Sequence, residues 1–599
     1  MSIAYKSDCN LSVFPARIRS MKRKILVFFT LCLIILGSSW ALLKPGMFKV
    51  HDFIHGVRIA EMTRALQEGQ FPVRWTENFG FGFGMPLYEF YAPLPYYVGS
   101  FFYSNGIPLV TSVKLLFLLC TIGTALGAYQ LGKSLFAHKA AGILVSAAYT
   151  LAPYRALNLF VRGALSEAWG MMALPWILYG IVESKSNKWR GFYATVFGSV
   201  ILLLSHNLTA LIAAPFIIFF AIGVLLADHF TKSGKSEDFI LRIGSLGGAA
   251  VLSLGLSAFY VFPAFLEKSY TQIEATILSG YFDFSLHFLY IRQFFSANWG
   301  YGGSEWGPGD PISFYLGTGQ LIAVVIALGY FAWNSARIIK KKKMGNLVSD
   351  KKSFLVVTLF AVTIGALFMS LQRSISIWRG IEILSYIQFP WRYLSVASLG
   401  LALLTGVPFL FVKGRQTRMY LVVLYLILQT STVAYFQPEE QYLDASGLYY
   451  DNPTRVAAHM SDILPDYIPL GVNLDGIQPP DFTVKCVTIA CSMHPLVERG
   501  HERLYTIDQK ITEPTVIEFA IADYPGWIVF ADAVAVAHSQ SKSGTILATL
   551  PAGTQQVGIQ FQGTQVRDVS DNVSVISVVT LAGLYMIQHR ASFFRKEVV

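Results

Sequence analysis

The stretch Lys22–Trp75, "KRKILVFFTLCLIILGSSWALLKPGMFKVHDFIHGVRIAEMTRALQEGQFPVRW", decides how the chain is read. Its first half is an apolar run from Ile25 to about Leu43, behind the cations Arg17, Arg19, Lys22, Arg23 and Lys24. A hydrocarbon core ~30 Å thick takes about 20 helical residues, so this run is long enough to cross one. It is too long for the apolar region of a cleaved leader and has no small-residue cleavage site. We therefore read it as a retained first span, with residues 1–24 as a basic cytoplasmic N-terminus. The second half leaves the membrane and at once sets Asp52, His55 and Arg58 at three-residue steps.

Working outward, the chain of 599 residues is 54% hydrophobic and only 14% charged. Soluble domains carry about 25% charged residues, so this one lacks the polar groups to cover a water-facing surface. Spans are predicted at about 25–43, 110–130, 140–153, 169–182, 192–205 and 208–227, then at 243–264, 314–333, 354–370, 394–412, 419–436 and 573–587, about 12 in all. The net charge of +11 lies between these runs, where it sets topology; nucleic acid is not an expected partner. The loops predicted to face inward hold Lys133 and Lys139; Lys185, Lys188 and Arg190; Lys232, Lys235 and Arg242; Lys340, Lys341, Lys342 and Lys343; Lys413, Arg415 and Arg418; and Arg590, Arg595 and Lys596. Every one is basic, as the positive-inside rule asks, so both termini are expected in the cytoplasm of an inner-membrane, multi-pass protein.

The expected divisions are a transmembrane domain at 25–436, whose first outer loop is 44–106, an outer domain at 437–571, and a last span with a basic tail at 572–599. The outer domain carries period-2 runs, "TVIEFAI" (515–521), "GWIVFAD" (526–532), "GTILATL" (544–550) and "QVGIQFQ" (556–562), separated by Tyr524-Pro525-Gly526 and Pro551-Ala552-Gly553. Alternation between turn residues predicts an antiparallel β-sandwich. Cys486 and Cys491, five apart on the outer side, are one possible disulfide.

Chemistry-bearing residues collect in the outer loops. From Asp52 to about Gln67 apolar residues recur at helical spacing, which predicts an amphipathic helix along the interface, with Asp52, His55 and Arg58 on one edge. That edge is either an ordinary solvated face or a catalytic one. "GQFPVRW" and "NFGFGFGMPLYEFYAPLPYY" follow, glycine- and aromatic-rich, with Arg74 and Glu89 at the two ends. In "YRALNLFVRGALSEAW" an ion pair of Arg155 with Glu167 is expected, while Arg162 offers the bidentate, always-charged fork that suits phosphate. His206 and Asn207 in "LLSHNLT" read as a cap or a satisfied histidine. Asp283 and His287, four apart, would share a helical face, and "SYIQFPWRYL" sets Gln388 and Arg392 at a span's mouth. Converging from four loops on one membrane face, these residues predict a shared cavity. No HExxH or GxSxG pattern is present.

The motifs "HDFIHGVRIAEMTRALQEGQFPVRW", "PLYEFYAPLPYY", "FVRGALSEAW", "LLSHNLTAL", "YFDFSLHF", "IQFPWRYL" and "YPGW" resemble, in order along the chain, the bacterial YfhO-like membrane proteins. A related group is labelled 6-pyruvoyl-tetrahydropterin synthase-related, though nothing here points to pterin chemistry. That family is similar in architecture to the GT-C glycosyltransferases. The resemblance implies a GT-C-like polytopic α-helical fold with a C-terminal extracytoplasmic β-sandwich-like domain. It implies a transferase that moves sugar from a polyprenyl-phosphate donor to a cell-envelope polymer or glycolipid acceptor; an in-line displacement would make it inverting. Asp52 stands where the family's first-loop acid acts as base, with His55 beside it. Arg58, Arg162 and Arg392 would hold the donor phosphate, and Arg74, Glu89, Glu167, His206, Asp283, His287 and Gln388 would contact substrate. Many relatives pair two acids at this place, whereas this chain has His51-Asp52; a divalent metal (Mg or Mn), if used, would sit on Asp52 and His55. Two other classes remain: a flippase for lipid-linked sugars, which would use the same cationic rim without chemistry, and an envelope scaffold whose β-domain binds cell-wall polymer or an enzyme partner. Mid-span charges and inverted repeats would mark the former.

Overall fold

The structure is a computed structural model and describes residues 13–229, 236–340, 350–412, 414–442, 467–474 and 477–597. Among the described residues ten helices are long and apolar enough to cross a membrane: Lys24–Leu43, Leu109–Leu135, Leu165–Glu183, Asn207–His229, Glu237–Leu256, Thr318–Lys340, Lys351–Ser370, Pro390–Leu410, Arg415–Tyr435 and Gln565–His589. The chain is a polytopic α-helical membrane protein with an antiparallel β-region near its C-terminus.

The two remaining predicted spans are helices that fall short of this length or apolarity, although Lys188–Ser205 runs from the Asp228 end of the bundle to the opposite end. Lys139–Thr150 has 12 residues, about 18 Å at 1.5 Å per residue, too short to cross alone. Pro153 interrupts it, and the chain continues through Pro153–Ala156 and a π-helical turn at Leu157–Val161 before Leu165–Glu183 begins. Every residue from 151 to 175 is buried, so what the sequence reads as an outer turn is irregular backbone enclosed by protein, where alone such backbone is tolerated at membrane depth. Lys188–Ser205 lies close against Leu165–Glu183: a Cβ on Gly191 would stand 2.5 Å from the Ser184 Cα. Small residues let helix backbones approach in this way where no hydrophobic force between helices exists.

At the C-terminal end of Leu165–Glu183, three basic segments meet one acid. Asp228 accepts from Lys185 Nζ at 2.6 Å, from Arg242 Nη1 at 3.0 Å and from Lys351 Nζ. Of the cations read as inward-facing, those at 232, 235, 341–343 and 413 lie outside the described residues.

The loop at 44–106, read as the first outer one, is built differently from its expected form. Its helix begins at His55, not Asp52, and is buried along most of its length, packed against helix Leu94–Ser104 instead of lying on the bilayer surface. Its buried Glu61 accepts from Asn78 Nδ2 at 2.9 and 3.0 Å and pairs with Arg64. Beyond it, Trp75 packs edge-on against Trp527, with centroids 5.2 Å apart, and against Phe561 at 5.3 Å. Gly84, at φ +79°, makes room: a Cβ there would lie 2.5 Å from Trp75 Nε1.

The β-region is a sandwich. One sheet runs Val484–Cys486, Thr515–Ala522, Thr545–Leu550, His538–Gln540; the other runs Met493–Arg499, Glu502–Ile507, Gln556–Phe561, Trp527–Ala531, Val534–Val536. All pairs are antiparallel. Ile517, Phe519 and Ile546 face Tyr505, Val529 and Ile559 from the inner sides, the alternation seen in the sequence. A disulfide joins Cys486 and Cys491.

Arg74 and Glu89, expected as substrate contacts, are the fasteners of this region. Arg74 Nη2 donates to Asp571 Oδ1 at 2.6 Å, on the last helix. Glu89 is buried against Arg567, whose Nε lies 3.0 Å from Glu89 Oε2 and 2.9 Å from Glu267 Oε2, while Tyr524 donates to Glu89 Oε1 at 2.8 Å. Burial and the neighbouring Glu267 push the Glu89 carboxyl up from its usual range. A glycine-rich loop with a charge at each end is here a docking strap, because both charges find partners 400 or more residues away in sequence.

The basic end formed around Asp228 is expected in the cytoplasm. Lys542→Cys, at an exposed turn of the sandwich, should react with a membrane-impermeant maleimide in intact cells. Protection until the membrane is permeabilised would reverse the assigned orientation.

Candidate functional site

At the N-terminal end of Leu165–Glu183, opposite the Asp228 cluster, lies a cavity of about 710 Å³. Asp52, Arg58, Arg162, Glu167, His206, Gln388 and Arg392 line it, with Phe90, Val261, Phe265 and Ile383 on apolar walls. Its size falls in the range of small-molecule sites.

Asp52 reaches the cavity from an extended segment, not from the helix. His51 N donates to Val161 O at 3.0 Å and Asp52 N to Arg162 O at 2.8 Å, so residues 51–52 pair with the end of the buried turn. Gly163, at φ +67°, lets that turn reverse; a Cβ there would meet Val50 at 2.7 Å. The Asp52 carboxylate is left exposed toward the cavity.

His55 sits behind it and does not line the cavity. Its Nε2 is 2.6 Å from Gly163 O, which obliges that nitrogen to carry hydrogen. Nδ1 is then the acceptor, 3.0 Å from the Tyr96 hydroxyl. Both ring nitrogens are engaged and 1% of the residue is exposed, so the expectation of a catalytic His55 is corrected: it pins the helix to Gly163. For the same reason Asp52 and His55 do not fit as a metal-holding pair. Among the described residues no group of three or more His, Cys, Asp or Glu side chains gathers for a metal. Burial pushes the imidazole down to about 4, against the opposing pull of the Asp52 carboxylate.

Arg58 lies with its guanidinium 3.9 Å from the Tyr91 ring centroid and donates to Tyr96 Oη at 3.3 Å. Glu167 organises the other cations. Its Oε2 accepts from Arg162 Nη1 at 2.7 Å and stands 3.7 Å from Arg392 Nε; its Oε1 accepts from Tyr154 at 2.5 Å and Asn158 at 3.2 Å. The expected Arg155–Glu167 pair is absent: Arg155 turns away, its Nη2 3.7 Å from Cys120 Sγ. Helical geometry explains the choice, since Tyr154, Asn158 and Arg162 lie four apart on one face and Arg155 on another. Arg392 donates to Ile387 O at 2.7 Å and Gln388 Oε1 at 3.1 Å. Gln388 itself holds φ +63°, a conformation costly for a residue with a Cβ and concentrated at functional sites. Trp391 backs Arg162 at 4.6 Å, and Phe389 backs Arg392 at 4.9 Å. His206 Nδ1 accepts from Thr209 N at 3.1 Å, the capping role read from the sequence, while its ring lines the cavity.

Asp283 and His287 do not share a helical face. Asp283 caps a 3₁₀ turn by accepting from Ser285 N at 2.8 Å, and His287 bonds Ser304 Oγ at 3.0 Å behind the wall. Ser304 and Tyr281 themselves line the cavity. Lys268 and Tyr91 line it as well. Lys268, in "FLEKSY" at the end of helix Ala258–Leu266, donates to Tyr386 Oη at 2.6 Å. Tyr91 was legible only as one aromatic among many.

No family model matches the chain, so the YfhO-like resemblance stands on the motifs alone. An uncharacterized protein of Lactococcus lactis subsp. cremoris is 27% identical over 307 residues, covering 50% of this chain and 47% of that protein. Among solved structures, the chain is similar to the mycobacterial arabinofuranosyltransferase AftD (12% identity, TM-score 0.40), over 71% of this chain and 28% of that one. It is similar also to ArnT of Cupriavidus metallidurans bound to undecaprenyl phosphate (10%, TM-score 0.32, 74% and 77%). An oligosaccharyltransferase of Archaeoglobus fulgidus matches at 13% identity and TM-score 0.36, over 74% and 55% of the two chains.

The network predicts two results. Glu167→Gln leaves Arg162 buried without its counter-charge and should cost about 3–5 kcal/mol, read as a lower melting temperature in detergent; an unchanged melt would show the ion pair to be dispensable. For His55 the folded value near 4 lies below the free value of 6.5. The unfolded chain therefore binds the extra proton between pH 6.5 and 4, and stability present above pH 6.5 is lost as pH falls through that window. Melting curves should show the loss, on the order of 3 kcal/mol for a shift of this size, and His55→Phe should flatten the dependence.

Proposed function

We propose that the chain is a membrane glycosyltransferase of GT-C type. In this reading it moves a sugar from a polyprenyl-phosphate donor to an extracytoplasmic cell-envelope acceptor, a polymer or glycolipid. The observation that carries the reading is the cavity's composition: an exposed carboxylate, Asp52, opposite three guanidiniums, with an apolar wall beside them. The order of motifs shared with the YfhO-like proteins points the same way.

The chemistry follows from these groups. The acceptor hydroxyl gives its proton to the Asp52 carboxylate, and its oxygen bonds to the anomeric carbon. The bond from that carbon to the phosphate oxygen breaks, and the electron pair leaves on the phosphate. An in-line displacement of this kind inverts the anomeric centre. Arg58, Arg162 and Arg392 stabilise the departing phosphate, and being held by Tyr91, Trp391, Phe389 and Glu167 they need no rearrangement as charge develops. Glu167, saturated by four donors or cations, is a poor base beside Asp52. Phe265, Val261 and Ile383 give the polyprenyl chain an apolar path. His55 orients the segment that presents Asp52.

A flippase would need the same rim but no base, so one substitution separates the readings. Asp52→Asn keeps size and fold but cannot accept the proton. Turnover should fall about 10²–10⁴-fold, with donor affinity near that of wild type. Normal transfer by Asp52→Asn, or no transfer by wild type from any polyprenyl-phosphate sugar, would overturn the assignment.

A further inference from the structure

A second cavity, of about 810 Å³, lies at the opposite end of the bundle from Asp52. Three helices form it: Leu109–Leu135 through Gln130, Lys133 and Ser134; Leu165–Glu183 through Trp176, Tyr179 and Glu183; and Lys188–Ser205 along its outer face. None of these residues belongs to the cavity around Asp52.

Its polarity is graded. Lys133, Arg190 and Glu183 stand at one end, beside the connection from residue 184 to 187; Phe197, Gly198 and Ile201 stand at the other. From Arg190 to Ile201 is eleven residues, about 16 Å along a helix axis, comparable with the depth of a headgroup and upper acyl chain. Trp176, Tyr179 and Tyr193 lie between the two ends, the level at which amphipathic rings sit in a membrane. Glu183 accepts from Ser134 Oγ at 2.8 Å and pairs with Arg190 Nη1 at 3.6 Å, so one acid stands against two cations, Lys133 and Arg190. Both cations are exposed enough to turn toward a ligand, the Arg190 side chain at 63%. The Tyr193 hydroxyl is buried without a hydrogen-bond partner. Phe197, 55% exposed, opens the groove sideways toward lipid.

We propose that this groove binds an anionic glycerophospholipid from the leaflet at the basic end of the bundle. Lys133 and Arg190 take the phosphodiester, the Tyr193 hydroxyl faces the interfacial part of the lipid, and one acyl chain runs along Phe197 and Ile201. Basic pockets between transmembrane helices are suited to such headgroups, and the charge and apolar gradients along this one match a phospholipid's own. Because Leu165–Glu183 carries Glu167 at one end and Glu183 at the other, the lipid would brace the helix that holds the arginine cluster. The proposal does not depend on the transferase reading.

The test uses full-length protein in mild detergent and native mass spectrometry. The probes are dioleoylphosphatidylglycerol, dioleoylphosphatidylcholine and glycerol 3-phosphate. Wild type should retain phosphatidylglycerol about thirtyfold better than phosphatidylcholine, the preference that two basic residues supply. Lys133→Gln with Arg190→Gln should abolish that preference, and glycerol 3-phosphate should not displace the lipid. Ala194→Trp, which fills the groove and leaves the charges, should expel both lipids; it decides the matter if the double variant does not fold. Equal retention of the two lipids by wild type, a preference surviving in the double variant, unchanged retention in Ala194→Trp, or displacement by glycerol 3-phosphate would each overturn the proposal.

Discussion

A buried carboxylate, Glu167, is the constraint on which the site depends. A charge at this depth is tolerable only with its lone pairs filled and its charge balanced. The chain meets that demand from the same turn, through Tyr154, Asn158 and Arg162, and from a distant helix, through Arg392. The two arginines repel each other, so each also needs the carboxylate. One acid thereby holds two guanidiniums side by side, a cationic surface that would otherwise fly apart. The irregular backbone from Pro153 to Gly163 follows from it, since a continuous helix would not bring Gly163 O to His55 and Arg162 O to Asp52 N.

A second buried charge performs the same office for the β-sandwich. Arg567 lies between Glu89 and Glu267 and belongs to the last helix, while Glu89 belongs to the first loop and Tyr524 to the sandwich. Two carboxylates against one guanidinium titrate together, and burial favours retaining a proton between them. With Arg74 on Asp571 and Trp75 against Trp527, the strap fixes the sandwich over the loop that carries Asp52. The β-region is thus continuous with the wall of the cavity.

Several residues of the candidate site stand out in the sequence by type and spacing. Arg162, Arg392, His206 and Gln388 stood out because polar groups at span mouths are costly without a task, and they share one cavity with Asp52. The spacing of Tyr154, Asn158 and Arg162, four residues apart in the sequence, matches their shared contact with Glu167, which Arg155 lacks. Arg74 and Glu89 misled for a physical reason. A charge in an aromatic loop looks alike whether its partner is a ligand or a side chain hundreds of residues away. Asp283 and His287 misled because a four-residue spacing means a shared face only where the backbone is helical, and here it is a chain of 3₁₀ turns.

By itself the sequence determined the membrane class, the alternation of basic loops, and the strands of the sandwich. Each follows from local rules: hydrophobic length, charge placement and period-2 burial act within one segment. The tertiary structure alone decided that the turn after Pro153 is buried, that His55 lies behind the cavity bonded to Gly163 and Tyr96, and that Glu167 joins Arg162 to Arg392. These depend on which groups meet across long stretches of chain. A buried charge or imidazole chooses among distant partners by geometry and desolvation, and no local pattern encodes that choice.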